Sequence, residues 1–153
     1  MHIESILKIS SDLSLSKKAI INVLYTYGLV NKTLNDALKP FDISIQQFNV
    51  LRILRGQHEK PISLETIQEL MINKMSNTTR LIDKLVIKKY VKKTINKTNR
   101  RKIDITITQE GLKLLDIVDA IIDNTEKKII SSLTDEETQE LIRLLGKVRL
   151  IAN

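Results

Sequence analysis

Residues 75–108 read MSNTTRLIDKLVIKKYVKKTINKTNRRKIDITIT, and this stretch decides the fold. In its first part, Leu81, Ile82 and Leu85 recur at the spacing of one helix face. A helix is therefore predicted from Lys74 to Lys88, with short polar side chains and one arginine in its first turns. Short donors and acceptors at a helix start can cap the helix, or they can read DNA bases.

A two-stranded hairpin is predicted directly after this helix. Its first strand runs from Tyr90 to Ile95 and its second from Ile103 to Ile107, where apolar and polar residues alternate. The three isoleucines of the second strand are expected to face the core. Between the strands lies NKTNRRK, residues 96–102, with four cationic side chains and no apolar one, so the hairpin tip is strongly basic.

Three helices are predicted before this stretch and two after it. The first is long, begins at Ser14 or Ser16 and ends before Pro40. Ser44 and Ser63 open two shorter helices, and a threonine cap opens each of the two closing helices. Two short helices joined by a tight turn form a helix-turn-helix, and the basic hairpin makes it a winged helix. The expected fold class is mainly α with a small β-hairpin wing.

The long helices on either side of the winged helix have no obvious partner within so small a domain. Residues 1–40 and 109–153 are therefore expected to form a dimerisation layer, and residues 41–108 the DNA-binding lobe, within one integrated domain. The predicted dimer contacts are apolar residues near both ends of the chain: Ile3, Ile6, Leu7, Ile130, Leu133, Leu141, Leu145 and Val148.

The composition excludes several classes of protein. The chain has no cysteine, which excludes disulfides, thiolate zinc sites and thiol-based redox sensing. Aromatic residues make up 3%, which disfavours binders that stack single-stranded bases. No apolar run approaches the roughly 20 residues that cross a bilayer. The N-terminus lacks the apolar segment of a signal peptide, so a cytoplasmic protein is expected.

No catalytic or cofactor motif is present in the sequence. Neither histidine lies near other potential metal ligands, and four glycines leave little material for a phosphate-binding loop. Asp116, Asp119 and Asp123 fall along one helix, where a solvated face is the expected role. We therefore expect no enzyme activity, no cofactor and no metal.

Positive charge is concentrated in one segment. The net charge is +7, but residues 74–102 hold eleven Lys/Arg and one acid, a balance of +10, whereas the rest of the chain balances to −3. A local block of this kind points to a polyanion, either nucleic acid or a membrane surface. The block lacks the exposed aromatic and leucine face of an interfacial helix, so no membrane contact is expected.

Double-stranded DNA is the expected partner. A helix fits the major groove of B-form DNA, where Asn can read adenine and Arg can read guanine, while an arginine at a hairpin tip can enter a narrow minor groove. Candidate contacts on the recognition helix are Lys74, Ser76, Asn77, Thr78, Thr79, Arg80 and Lys84. Candidate contacts on the wing are Lys97, Asn99, Arg100, Arg101 and Lys102.

Each of these features also has a plainer interpretation. A Ser-Asn-Thr-Thr sequence at a helix start can serve only as a cap, and a basic loop is often solvated surface. A winged helix can also be a protein-interaction module whose basic face binds an acidic protein partner. The polar first turn of the recognition helix favours DNA, because base reading needs it and a protein scaffold does not.

The segments MSNTTRLIDKLVIKKYVKK and NRRKIDITITQEG resemble the MarR family of bacterial winged-helix regulators. The most specific matches are Thr79-Arg80, Asp83-Lys84-Leu85 and the motif from Ile107 to Gly111, and the resemblance covers nearly the whole chain. It implies an obligate homodimer built from the N- and C-terminal helices. It also implies that this dimer binds a pseudo-palindromic operator, usually as a repressor.

The family's wing-tip arginine falls on Arg101, and three nearby residues depart from the family pattern. Asn99 stands where the family commonly has Asp, so an ion pair that braces the wing is lost or replaced. Lys89 replaces a glycine at the end of the recognition helix, which disfavours a left-handed cap. Lys93 replaces an arginine and keeps the charge without the fork geometry.

The resemblance further implies, in many members, a small-molecule effector pocket between the dimer layer and the DNA-binding lobe. The candidate lining residues in this chain are Tyr25, Tyr27 and Phe41. The lack of cysteine excludes the thiol-oxidation switch that one branch of the family uses.

Overall fold

The computed structural model describes residues 3–8, 12–58 and 60–152. The helices are α1 (Ile3–Leu7), α2 (Leu15–Leu38), α3 (Ile45–Gly56), α4 (Leu64–Leu70), α5 (Thr78–Ile87), α6 (Gln109–Ile129) and α7 (Asp135–Val148). Short 3-10 turns span Lys39–Phe41 and Arg149–Ala152, and the strands are β1 (Val91–Ile95) and β2 (Ile103–Ile107). The predicted class, mainly α with a β-hairpin wing, is confirmed.

Side-chain caps fix the predicted helix starts. The Ser14 hydroxyl accepts the Lys17 N–H at the start of α2. Both predicted capping boxes form, one from Ser44 and Gln47 at α3 and one from Thr134 and Glu137 at α7. Each box satisfies two backbone donors that a helix start leaves without an intrahelical acceptor.

The recognition helix α5 begins at Thr78, which corrects the predicted start at Lys74. Asn77 is the N-cap, and its Oδ1 accepts the Arg80 N–H at 3.0 Å. The segment before it forms the turn of the helix-turn-helix, because backbone bonds such as Ser76 N–H to Asn73 O, at 3.2 Å, close it as a turn.

The wing is an antiparallel pair in which Ile95 lies opposite Ile103. Ile62, just before α4, adds one further rung, since it exchanges both backbone hydrogen bonds with Ile105 at 3.0 and 3.1 Å. The prediction that every isoleucine of β2 faces the core is wrong for Ile103, which is 43% exposed, whereas Ile105 and Ile107 are buried. Ile95, its partner across the hairpin, is 64% exposed, so the Ile95–Ile103 pair lies largely outside the core.

One hydrophobic core joins the wing, the turn motif and the long helices. Leu38 of α2 and Leu115 of α6 are fully buried in the same cluster as Leu51 of α3. Arg55 of α3 and Asp119 of α6 form a forked ion pair, with Nη1···Oδ2 at 2.5 Å and Nη2···Oδ1 at 3.3 Å. Asp119 therefore forms an ion pair with a neighbouring helix, and the prediction that it lies on a solvated face is wrong for this residue.

Helix α5 ends in a Schellman motif whose left-handed position is a lysine. Lys89 has φ 64°, its N–H donates to Val86 O at 2.9 Å, and the Tyr90 N–H donates to Leu85 O at 3.0 Å. The Thr108 hydroxyl also donates to Lys89 O at 2.7 Å. The left-handed cap that a lysine disfavours is thus kept, because surrounding hydrogen bonds hold the backbone there.

Lys89→Gly is expected to raise the free energy of unfolding by about 1 kcal/mol, because glycine adopts the left-handed conformation without a Cβ penalty. The measurement is urea unfolding at a fixed protein concentration. Lys89→Ala is the control, since it removes the same charge and keeps the penalty. An equal gain in both variants would assign the effect to charge repulsion instead of backbone strain.

Candidate nucleic-acid interface

The start of α5 presents three exposed polar residues, Asn77, Thr79 and Arg80. Thr78 is 3% exposed, so its hydroxyl does not reach the surface and Thr78 is no longer a candidate DNA contact. Its burial follows from helical spacing, because Thr78 shares one face with Ile82 four residues on. Asn77 uses its Oδ1 for the cap, and bidentate reading of adenine needs that same acceptor. Thr79 and Arg80 are therefore the residues best placed to meet base edges.

Two further candidates, Lys74 and Ser76, lie in the turn before α5. The Lys74 ammonium donates to the carbonyl of Glu69, which directs it toward the end of α4. The Ser76 hydroxyl oxygen is buried and has no hydrogen-bond partner among the described residues. Lys84, one turn further along α5, is exposed and lines a shallow groove with Arg80.

The wing tip is organised by Asn96, which sequence reasoning did not single out. Its Oδ1 accepts the Asn99 N–H at 2.8 Å, the Thr98 N–H at 3.0 Å and the Thr98 hydroxyl at 2.7 Å. Its Nδ2 donates to both carboxylate oxygens of Asp104, at 3.0 and 3.1 Å. An asparagine at the end of a strand is typical of such side-chain turns, so the sequence did carry a signal for this role.

The basic side chains of the tip are exposed on this braced turn. Asn99 Oδ1 accepts the Arg101 N–H at 3.1 Å, and Asn99 O accepts the Lys102 N–H at 2.9 Å. The neutral Asn99, which stands where the family commonly has aspartate, thus holds the backbone of Arg101 by a hydrogen bond. Lys97 and Arg100 stand exposed beside it.

A groove runs between the wing, α4 and the start of α5. Thr79 of α5 and Arg101 of the wing both line it, together with Ser63, Glu65, Lys93 and Lys102. The Ser63 hydroxyl lowers the pKa of the Glu65 carboxyl, and the Glu65 backbone N–H and the charge of Lys102 act in the same direction. Glu65 is therefore an anion whose charge is felt by Lys102, and of the groove cations only Lys93 forms an ion pair among the described residues, which leaves Arg101 and Lys102 available to an anion.

Ion pairs tie the recognition helix to its surroundings. Lys93 on β1 pairs with Asp83 on α5, so this lysine braces the wing against the helix. Lys88, at the end of α5, pairs with Asp42 at 2.8 Å, and its hydrogen bond and charge lower the pKa of that carboxyl. Both aspartates are more than half exposed, so each pair orients side chains and adds little stability.

Apolar side chains are exposed on the closing helices and near the N-terminus. Helix α7 has no buried residue, and Leu141 and Val148 are 42% and 50% exposed. Ile3, a predicted dimer contact, is 7% exposed because it packs within its own chain, so it does not form part of this surface. The other predicted contacts, which are exposed or half-buried, are Ile6, Leu7, Ile130, Leu133 and Leu145.

A cavity of about 270 Å³ lies between α2, α3 and the turn before α5. Of the candidate pocket residues, Tyr27 lines this cavity, Tyr25 does not, and Phe41 packs against the core. Arg52 lies at the wall with its guanidinium carbon 5.8 Å from the centroid of the Phe48 ring. The lining residues also include Leu34, Gln46, Asn49, Met71, Ile72 and Asn73.

Neither a metal-binding cluster nor a membrane-spanning helix occurs among the described residues. No three His, Cys, Asp or Glu side chains there are grouped so that they could hold a metal ion. None of the helices described is both long enough and apolar enough to span a membrane.

Comparisons with known proteins identify similar transcriptional regulators. The MarR family model matches residues 43–103, which run from α3 through the wing. The regulator PecS of Dickeya dadantii, described as an HTH-type transcriptional regulator, is 28% identical over 142 residues, which cover 90% of this chain and 84% of PecS. The solved MarR transcription factor of Planctomyces limnophilus is 30% identical, with 88% of this chain and 97% of that chain covered and a TM-score of 0.69. A mutant of Escherichia coli MarR complexed with operator DNA is 24% identical, with coverage of 89% and 99% and a TM-score of 0.77.

Proposed function

Because this chain belongs to the MarR family of DNA-binding transcriptional regulators, we propose that it is a homodimeric repressor that releases a pseudo-palindromic operator when a small ligand binds. The observation that carries the proposal is the groove that Thr79 and Arg101 both line. It brings the first turn of the recognition helix and the wing tip to one surface, and Lys93, Arg101 and Lys102 of the basic block line that surface.

The residues of this surface divide into base-reading and phosphate-binding groups. Arg80 reads guanine in the major groove with Thr79 beside it, and Arg101 enters the adjacent minor groove. Lys84, Lys97, Arg100 and Lys102 meet phosphates, which fix the register without reading sequence. Asn77 and Asn99 contribute through the backbone turns that they cap. Two such lobes in a dimer meet successive major grooves about 34 Å apart.

The dimer is proposed from the exposed apolar face of α7 and the neighbouring ends of the chain. Helix α7 has apolar residues at helical spacing but no buried side chain, so no element among the described residues covers its apolar face. A second copy supplies an identical face, as two-fold dimers do. The same arrangement sets the spacing between the two recognition helices.

The ligand is proposed from the cavity beside the turn that precedes α5. Its mostly apolar wall carries a few amide groups and the charged residues Arg52 and Glu126, which is the usual composition of a small-molecule site. A ligand shifts DNA binding only if it prefers one dimer geometry over the other. Occupation of this cavity is proposed to favour the geometry that does not match the operator.

A combined solution and DNA experiment tests this function. Light scattering after gel filtration should give twice the chain mass of 17.6 kDa. DNA from upstream of its own gene, or fragments recovered by genome-wide mapping, should bind more tightly than an unrelated duplex of equal length at the same salt concentration. Deletion of the gene should raise transcription from the bound promoters. A monomeric mass, or equal affinity for both duplexes, contradicts the proposal.

Lys97→Ala is expected to reduce the dependence of log affinity on log salt by about one unit per protomer, because one phosphate contact is lost. For a bound dimer the change is about two units. The measurement is DNA affinity across a salt series, on a cognate fragment and on an unrelated duplex, which should change alike. Lys113→Ala, an exposed lysine of α6, is the control and should leave the slope unchanged. A change confined to the cognate fragment would contradict the phosphate role of Lys97.

A further inference from the structure

Two side chains of the cavity wall hold the turn that leads into the recognition helix. Asn49 of α3 accepts the Ile72 N–H through its Oδ1 at 2.9 Å. On the next residue of the turn, Asn73 donates through its Nδ2 to the hydroxyl oxygen of Tyr27 on α2 at 3.4 Å. All four residues line the cavity. The turn therefore forms part of the cavity wall, and other residues of that wall hold it by hydrogen bonds.

Asn73 also sets the path of the chain into α5. Its Oδ1 accepts the Met75 N–H at 3.0 Å, and its carbonyl accepts the Ser76 N–H at 3.2 Å. Asn77 follows directly and caps α5 through the Arg80 N–H. A displacement of Asn73 is thus passed through two backbone amides to the cap of the helix that carries Arg80.

The turn has little apolar anchorage of its own. Met71 at its start and Thr78 at its end are 2% and 3% exposed, but no residue between them is buried. Ile72 and Met75 are 84% and 92% exposed. A segment with few buried apolar contacts is positioned mainly by its hydrogen bonds, and it opens more readily than the core around it.

We propose that Asn49, Tyr27 and Asn73 are positioning residues that couple this cavity to the DNA-reading helix. Toward the turn, Asn49 Oδ1 and the Tyr27 hydroxyl oxygen both act as acceptors. We assign the ligand to these two acceptors: an occupant that takes Asn49 Oδ1 and the Tyr27 oxygen from the turn donates hydrogen bonds to them, so it carries a hydroxyl, an amine or an amide N–H. This inference rests on the proposed function, because it specifies how the cavity acts on DNA binding.

Tyr27→Phe tests the coupling, because it removes the acceptor oxygen and keeps the ring. On DNA selected by the wild-type protein from random sequences, we expect affinity to fall about three- to tenfold, the range for one lost hydrogen bond. Affinity for an unrelated duplex should stay within about twofold, since phosphate contacts are untouched. Tyr25→Phe is the matched control and should change neither affinity, because Tyr25 does not line the cavity.

A double-mutant cycle separates positioning from general loss of structure. Tyr27→Phe combined with Asn73→Ala should bind no more weakly than Asn73→Ala alone, because both changes break the same contact. Additive losses, or an equal loss on the selected DNA and the unrelated duplex, would overturn the proposal.

Amide hydrogen exchange tests the same link in the protein without DNA. Tyr27→Phe should speed exchange at the Met75 and Ser76 amides by about threefold or more, and leave the core amides of α6 unchanged. Unchanged exchange at both turn amides would overturn the coupling. If the wild-type protein selects no DNA sequence, the proposed function fails, and the exchange measurement still decides whether the cavity wall holds the turn.

Discussion

Gly111→Ala is expected to lower the free energy of unfolding by about 3 kcal/mol, because the added methyl group overlaps a fixed backbone atom. A Cβ at this position would lie 2.4 Å from Tyr90 O and 2.8 Å from Ile107 Cγ1. The isoleucine can change rotamer, but Tyr90 O accepts the Thr108 N–H at 3.0 Å and cannot withdraw. Gly111 is thus required by the close approach between α6 and the base of the wing.

Thermal unfolding at a fixed protein concentration measures this effect, which corresponds to a fall in midpoint of roughly 6–12 °C for a chain of this size. Gly28→Ala in the middle of α2 is the control. A Cβ there meets nothing within 4 Å, so alanine should stabilise the helix by about 0.5–1 kcal/mol. A wild-type midpoint for Gly111→Ala would show that the wing and α6 do not approach this closely in solution.

Arg101→Ala is expected to weaken operator binding by about 1–3 kcal/mol for each half-site, as the loss of one good groove contact does. Arg101 lines the groove beside Thr79, and its backbone is held by Asn99, so the side chain starts from a fixed base. A narrow minor groove concentrates negative potential and favours an arginine inserted into it. The loss should therefore be larger on the operator than on an unrelated duplex.

The measurement is the affinity for the operator and for the unrelated duplex at the same salt concentration. Affinity for DNA depends so steeply on salt that values at different concentrations cannot be compared. Arg149→Ala removes the same charge from the turn after α7 and should leave both affinities unchanged. Asn99→Ala retains Arg101 but removes the Oδ1 that orients it, so a smaller loss of operator affinity is expected. Unaltered operator affinity in Arg101→Ala would exclude the wing from the interface.

Sequence patterns predicted the structure correctly where the local chemistry and the packing favour the same conformation. The two capping boxes, the hairpin and the order of the helices follow from residues close together in the chain, such as Ser44 with Gln47. The start of α5 was predicted too early because Lys74 and Ser76 are as polar as the first turn that follows. The burial of Thr78 could have been predicted, since it lies on the same face as Ile82 and Leu85.

Other features depend on contacts between distant residues and leave little trace in a local pattern. The Arg55–Asp119 pair joins residues on α3 and α6. The cavity between α2, α3 and the turn could not be placed from Tyr25 or Phe41, because side-chain direction there is set by tertiary packing. Ile103 was predicted to be buried because the alternation of apolar and polar residues identifies the apolar face of a strand. It does not show where along the strand the core ends, and Ile103 lies beyond that point.

The way α6 is held to the lobe has a mechanical consequence. The shared core and the ion pair with Arg55 hold α6 rigidly against the lobe. The helix runs from the base of the wing to the end that is proposed to face the second protomer. Its 21 residues give a length of about 31 Å at 1.5 Å per residue, so a pivot of about 10° at one end displaces the other by about 5 Å. In the proposed dimer, opposite pivots of the two protomers would change a separation of about 34 Å by roughly a third and take one recognition helix out of its groove. A rotation of about 10° at the proposed dimer interface would therefore be enough to release DNA.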